Sequence, residues 1–113
     1  MPFINVKTNA EVTEEKADRI KSALGLAITS IPGKSEGWLM VGIEDNYKLY
    51  FKGTKEPAAM VEVSLYGKAS ENAMGVLTSN ITGIMTDVLG ISTDRVYVSY
   101  MSTPDWGWNG SNF

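Results

Sequence analysis

Hydrophobic residues along the chain follow two different spacings, and the order of these spacings predicts alternating strands and helices. The opening run 1–8 is of β type and predicts a strand. Thr13 is a typical helix N-cap, and the apolar residues after it recur at three- and four-residue steps, which predicts a helix as far as about Ile31. The apolar run 38–43 then predicts a second strand, covered on both faces.

The second half of the chain repeats this order. Residues 58–66 alternate between apolar and polar side chains and predict a strand. Ser70 is expected to cap a helix that ends at Leu89, with a glycine directly after it. Residues 95–100 predict the closing strand, and residues 47–51 a short additional strand between the two halves.

Two β-α-β units in succession define an α+β fold. Strands joined by a helix are expected to lie parallel through right-handed crossovers, which gives a four-stranded mixed sheet with two helices on one face. The other face then has no cover within the chain, and an apolar surface of this kind is typical of an interaction site. We therefore expect self-association through the face that carries Phe3, Met60, Tyr66 and Tyr97.

Composition narrows the class of protein. A chain of 113 residues is sufficient for one domain, which we expect to span residues 1–113. The formal net charge of -3 disfavours nucleic acid and anionic membranes as main partners. No apolar run has the length of a membrane-spanning helix, so no membrane insertion is expected, and no signal peptide is apparent, so we expect a cytoplasmic protein.

Cysteine and histidine are both absent from the chain. Their absence excludes disulfides, thiolate nucleophiles, imidazole bases and nearly all transition-metal sites, so no metal site is expected. Proton chemistry would have to come from carboxylates, lysine, tyrosine or a chain terminus.

The amino terminus is the first candidate base, because Pro2 follows Met1. Removal of Met1, which a small following residue permits, would leave a secondary amine. An ordinary α-amino group has a pKa of roughly 7.7 to 8.0, and burial or a nearby positive charge lowers it toward the range suited to proton transfer. Lys34 and Lys68 would supply that charge if they approached Pro2, although a single lysine is more often solvated and a Met-Pro start also occurs in chains with an exposed terminus.

Other motifs point to no chemistry. Gly33-Lys34-Ser35 lacks the upstream glycine of a phosphate-binding loop, because Ile28 occupies that position. Asn109-Gly110-Ser111 matches a glycosylation pattern that we interpret as incidental. The three tryptophans, Trp38, Trp106 and Trp108, are interpreted first as packing residues.

Five short segments in a fixed order nevertheless resemble one family. The chain is similar to the macrophage migration inhibitory factor family of the tautomerase superfamily, and the similarity extends over the whole chain. The segments are Met1-Pro2, Gly33-Lys34, Tyr66-Gly67-Lys68, Asp94-Arg95-Val96-Tyr97 and Gly107-Trp108-Asn109-Gly110-Ser111-Asn112-Phe113.

The resemblance implies a homotrimer around a central channel, with active sites at the subunit interfaces. It implies a cofactor-independent keto-enol tautomerase that acts on aromatic α-keto acids such as phenylpyruvate. Pro2 would be the catalytic base, and Lys34 would bind the substrate carboxylate. The backbone N–H of Tyr66 would also contact the substrate, and Tyr97 would form an aromatic wall supplied by the neighbouring subunit. The rest of the pocket would be lined by Phe3, Trp106 and Phe113.

Several positions depart from the family pattern. Ser99 stands where the animal proteins have an asparagine, which puts binding of a ring hydroxyl in question. Tyr66 and Trp106 replace smaller aliphatic residues, so the pocket mouth is expected to be narrower or to offer more ring contact. The family's Cys-x-x-Cys pair is replaced by residues 58–61, which excludes thiol-disulfide chemistry.

Two alternatives from other classes remain open. One is a secreted cytokine-like protein that leaves cells without a signal peptide and binds a receptor on host cells, with vestigial tautomerase activity. The other is a ferredoxin-like scaffold domain without chemistry, for which the pKa of the terminal amine would have its ordinary value.

Overall fold

A computed structural model describes all 113 residues of the chain. It contains two α-helices, a sheet of four strands and a small sheet of two strands. In chain order the elements are β1 Pro2–Thr8, α1 Glu14–Ala27, β2 Met40–Glu44, β3 Ala59–Tyr66, α2 Glu71–Leu89, β4 Val96–Thr103, β5 Gly107–Trp108 and β6 Ser111–Asn112.

The main sheet has the strand order β2-β1-β3-β4. β1 pairs parallel with β2, and β3 pairs parallel with β4, so the strands joined by a helix are parallel, as predicted. β1 and β3 pair antiparallel and connect the two halves. The mixed α+β sheet of the sequence prediction is confirmed.

Both helices pack on one face of this sheet. Ile4 and Val6 of β1 and the alternate residues of β3 are buried, and they belong to one cluster with the buried faces of α1 and α2. Burial of these apolar side chains stabilises the contact between sheet and helices, at about 25 cal/mol for each Å² removed from water. The helix residues in the cluster are Ile20, Leu24, Ala27, Ala73, Leu77, Ile81 and Met85.

Capping residues begin and end the helices as the sequence predicts. The Thr13 hydroxyl accepts a hydrogen bond from the Lys16 N–H at 3.3 Å, and Ser70 does the same for Ala73 at 3.1 Å. Gly90 ends α2 with a left-handed φ of 69°. Neither helix is both long enough and apolar enough to cross a lipid bilayer.

The face opposite the helices is more polar than predicted. The Asn5 side chain donates to Glu44 at 2.9 Å, and Lys7 forms an ion pair with Glu62 at 3.1 Å. The polar middle of this face therefore separates apolar groups toward its two ends. Phe3, Met60, Tyr66 and Tyr97 do share the face, as the strand register requires.

Two further predictions were wrong in detail. The second strand is not covered on both faces: residues 36–38 form a 3-10 helix, and β2 is an edge strand whose Met40 is 68% exposed. Residues 47–51 form no strand, and Phe51 makes only an isolated bridge to Thr54. The Asn9 side-chain amide determines this loop instead, because its Nδ2 donates to the carbonyls of Leu49, Lys55 and Glu56 at 3.2, 3.1 and 3.0 Å.

Candidate active site

The amino terminus lies at one end of the sheet, between two neighbouring strands. Pro2 is buried and pairs with Leu65 of β3, and Phe3 pairs with Met40 of β2. The Tyr66 N–H donates a hydrogen bond of 3.1 Å to the Met1 carbonyl. The antiparallel pairing thus holds the start of the chain against the end of β3.

Lys34 reaches this place from the segment after α1. Gly33 has a φ of 80°, a conformation that favours glycine, and the next residue turns back so that the Lys34 N–H donates to the Ile31 carbonyl at 3.1 Å. The Lys34 ammonium donates to the Tyr66 carbonyl at 2.9 Å and lies 5.9 Å from the centre of the Tyr66 ring. The lysine is thereby fixed beside the amino terminus.

The environment changes the acidity of the terminal amine. The pKa of the Met1 amine is lowered from its ordinary value of 8.0 to about 6, chiefly because burial disfavours the charged form. The charge of Lys34 and a hydrogen bond to the Lys34 side chain lower the pKa further. At pH 7 an amine with this pKa is roughly nine-tenths neutral and able to accept a proton. Lys68, by contrast, is exposed to solvent.

A cavity of about 410 Å³ opens next to Pro2. This volume is within the range of small-molecule sites, which is about 300 to 1,000 Å³. Most of its lining is hydrophobic, and the rings of Trp38 and Trp108 meet edge to face with their centres 5.0 Å apart. The lining consists of Met1, Pro2, Phe3, Gly37, Trp38, Leu39, Met40, Trp106, Gly107 and Trp108.

The carboxyl-terminal hairpin, β5 and β6, brings the last aromatic residues to this site. Its turn is Asn109-Gly110, with φ values of 53° and 87°, the positive pair that a tight hairpin requires. The Phe113 N–H donates to the Trp106 carbonyl at 3.0 Å, and the Phe113 ring lies 5.1 Å from the Tyr66 ring. Phe113 therefore joins the group around Lys34.

Sequence reasoning did not assign Trp38 and Trp108 to the cavity. It interpreted them as packing residues, and each is about half exposed in the structure. The Asn109-Gly110 dipeptide, which is the strongest short hairpin signal in a sequence, was available and would have predicted that the tail folds back.

Tyr97 and Ser99 lie away from Pro2 within the chain. Tyr97 pairs with Met60, five positions along β3 from the residue opposite Pro2, which is a distance of about 16 Å. Tyr97 is 59% exposed, and its ring meets that of Phe51 at 4.8 Å. Pro2, Phe3, Lys34, Tyr66, Trp106 and Phe113 thus assemble within one chain, whereas the placement of Tyr97 and Ser99 at a site with the neighbouring subunit stays a prediction.

The α+β fold, with its four-stranded mixed sheet and two helices, matches solved structures of the tautomerase-fold superfamily. The family model described as Macrophage migration inhibitory factor (MIF) matches residues 1–113. The chain therefore belongs to the macrophage migration inhibitory factor family, which includes cytokine-like members.

Individual relatives agree with this assignment. The macrophage migration inhibitory factor of Mus musculus is 31% identical, over 100% of this chain and 99% of the relative. The crystal structure of Leishmania major MIF2 is 32% identical and covers 100% of this chain and 97% of its own, with a TM-score of 0.94. The homologue from Prochlorococcus marinus is 26% identical, with a TM-score of 0.89 and 98% of each chain covered.

Proposed function

We propose that the protein is a keto-enol tautomerase for aromatic α-keto acids of the phenylpyruvate type, with Pro2 as the catalytic base after removal of Met1. The observation that carries the proposal is the position of Pro2, buried at the edge of a mostly apolar cavity and close to Lys34, where burial and the Lys34 charge lower the pKa of the Met1 amine to about 6. The same surroundings are expected to lower the pKa of the Pro2 amine once Met1 is removed. A base that is neutral near pH 7 is what proton abstraction from carbon needs.

The proposed reaction moves one proton within the substrate. The neutral Pro2 nitrogen removes a proton from the carbon between the keto group and the ring, while the Lys34 ammonium pairs with the carboxylate. The electron pair of the broken C–H bond forms the C=C bond of the enol, and the keto oxygen takes the proton from the prolinium. Pro2 is neutral again at the end, and no other reactant is needed.

The assembled protein would complete the pocket. Members of this family are typically homo-oligomers. In the proposed homotrimer, the exposed Tyr97 and Ser99 of one subunit reach the cavity of its neighbour, and Tyr66, Trp106 and Phe113 supply ring contact from the subunit that carries Pro2. The aromatic lining of the cavity supports a substrate with an aromatic ring.

The direct test is enolisation of phenylpyruvate by protein whose amino terminus has been identified by mass spectrometry. We expect activity in the chain that begins with Pro2, and loss of activity in the Pro2→Gly variant and in a chain that retains Met1. Circular dichroism should show both altered chains folded. Full activity in the chain that retains Met1 would refute the role of Pro2.

A cytokine-like role is the second candidate. It is favoured by the similarity to the mouse and rat proteins named macrophage migration inhibitory factor. A receptor would bind the outer surface of the assembly, and signalling would not require proton transfer at Pro2. Binding of the Pro2→Gly variant to a host receptor at wild-type affinity would separate this role from catalysis.

A further inference from the structure

The turn of the carboxyl-terminal hairpin contains two residues that the proposed reaction does not use, Asn109 and Gly110. Both are exposed to solvent. Of the asparagines in the chain, only Asn109 is followed by glycine. Because glycine has no Cβ, its backbone nitrogen is less hindered than that of any other residue. The pair is therefore suited to a reaction between the Gly110 nitrogen and the Asn109 side-chain amide.

The Gly110 nitrogen is free of partners within the chain. Its N–H donates to no backbone carbonyl, and nothing lies within 4 Å of the position that a Cβ of Gly110 would occupy. Asn112, in the same hairpin, provides the contrast, because the N–H that follows it, that of Phe113, donates to the Trp106 carbonyl at 3.0 Å. The attacking nitrogen is thus available beside Asn109 and occupied beside Asn112.

We propose that Asn109 is a site of spontaneous deamidation, and that the isoaspartate product removes Trp108 from the wall of the cavity. The Gly110 nitrogen attacks Cγ of Asn109, the C–N bond of the side-chain amide breaks, and ammonia leaves with the proton of the Gly110 N–H. Water then opens the resulting succinimide ring. Opening at Cγ gives aspartate, whereas opening at the backbone carbonyl gives isoaspartate, in which the main chain runs through Cβ and Cγ. This chemistry does not depend on the proposed tautomerisation.

Local opening of the hairpin precedes ring closure. The planar ring requires a rotation about the Cα–C bond of Asn109 that the tight turn, with φ values of 53° and 87°, does not allow. The opening is accessible because β5 and β6 pair through only two residues each. A two-stranded hairpin is marginally stable by itself, and segments with few contacts open at low free energy. The reaction therefore proceeds in the folded protein, at a rate set by this opening.

The isoaspartate product changes the cavity through the backbone. Trp108 directly precedes Asn109, and its ring meets that of Trp38 at 5.0 Å. A two-residue turn with two positive φ values fixes how β5 returns into β6. An additional carbon atom in the main chain at Asn109 breaks this match, so that Trp108 loses its place beside Trp38. Ordinary aspartate keeps the backbone of the turn and adds only a charge.

Peptide mapping by mass spectrometry tests the reaction on the full chain, kept at physiological temperature and neutral pH and sampled at intervals. We expect Asn109 to convert at least about tenfold faster than Asn112, because release of the Phe113 N–H alone slows Asn112 by about 2- to 10-fold and the Phe113 side chain hinders the attack further. Equal rates at the two asparagines would overturn the inference. So would an unreacted Asn109 in the folded chain over the time in which the urea-unfolded chain reacts, or products without isoaspartate.

Near-ultraviolet circular dichroism of the tryptophans tests the effect on the cavity. The isoaspartate form, separated by ion exchange, is compared with Asn109→Asp, which carries the charge without the longer backbone. Asn109→Gly, kept under the same conditions, is the control, because a Gly-Gly turn accepts the same positive φ values and has no side-chain amide to react. We expect loss of the tryptophan signal in the isoaspartate form alone. A signal equal to that of fresh protein in this form, or an equal loss in Asn109→Asp, would overturn the assigned effect on Trp108.

Discussion

Replacement of Lys34 by methionine removes the ammonium group beside the amino terminus and keeps a flexible side chain of similar length. Two effects are expected. The charge of Lys34 lowers the pKa of the Met1 amine, although burial is the larger cause. We expect the same two causes to act on the Pro2 amine, so that its pKa rises in the variant but stays below 8.0. The substrate carboxylate also loses its charged partner in the proposed complex.

The two effects differ in size and in their dependence on pH. Loss of a hydrogen bond to a charged group costs about 1.5 to 3 kcal/mol, which is a decrease of about 10- to 150-fold in kcat/KM at every pH. A complete return of the amine pKa from about 6 to 8.0 would lower its neutral fraction at pH 7 from roughly 0.9 to roughly 0.1. Protonation of the amine therefore accounts for less than about tenfold of the decrease in kcat/KM at pH 7, and for almost none of it at pH 9.

The assay follows enolisation of phenylpyruvate by the Lys34→Met variant at pH 7 and pH 9. We expect the deficit relative to wild type to be larger at pH 7 and to retain its carboxylate component at pH 9. Lys68→Met is the matched control, because Lys68 is exposed and does not contribute to the pKa of the terminal amine. A wild-type rate for Lys34→Met at both pH values, or an equal loss for Lys68→Met, would refute the assigned role of Lys34.

Three further predictions concern stability. Gly75→Ala should raise the free energy of unfolding in urea by up to about 1 kcal/mol, because alanine favours the helix and the added methyl group meets open space on α2. Gly110→Ala should lower the free energy of unfolding by about 1 kcal/mol, because alanine is strained at a φ of 87°. Arg95→Met should lower it by about 2 kcal/mol or more, because the buried guanidinium bonds two loop carbonyls, and an unchanged urea midpoint would contradict this. In the chain retaining Met1, stability should rise with pH between about 6 and 8.0, since the unfolded chain binds more protons in that interval, and acetylation of the amine should remove this dependence.

Elements with strong periodic patterns were predictable from the sequence. β1, β3 and both helices bury alternate or three-to-four-spaced apolar residues, and the caps Thr13 and Ser70 mark the starts of the helices. The uncovered sheet face also followed from the predicted topology. The polar contacts in the middle of this face were not predicted. Which residues meet across strands, such as Lys7 and Glu62, depends on the strand order and register, and no single strand encodes these.

Features built by single long-range contacts were not predictable. Residues 47–51 have a strand-like pattern, but the Asn9 side chain, from a distant part of the chain, donates to the Leu49 carbonyl and to the carbonyls of Lys55 and Glu56 beyond this segment. The two-residue strands β5 and β6 are too short for any periodicity. The approach of Lys34 to the amino terminus depends on the turn at Gly33 and on packing, so residue spacing alone left Lys34 and Lys68 equivalent.

The most direct test is an NMR titration of the Pro2 nitrogen in ¹⁵N-labelled protein from which Met1 has been removed, with the pH profile of phenylpyruvate turnover measured on the same sample. If Pro2 is a neutral base in a buried, cationic environment, we expect its pKa to lie well below the ordinary 8.0, near the value of about 6 that the Met1 amine has there. The rate of phenylpyruvate turnover should then rise with pH around this pKa. A pKa of 8.0 or above, or a rate that does not follow the titration of Pro2, would contradict the account.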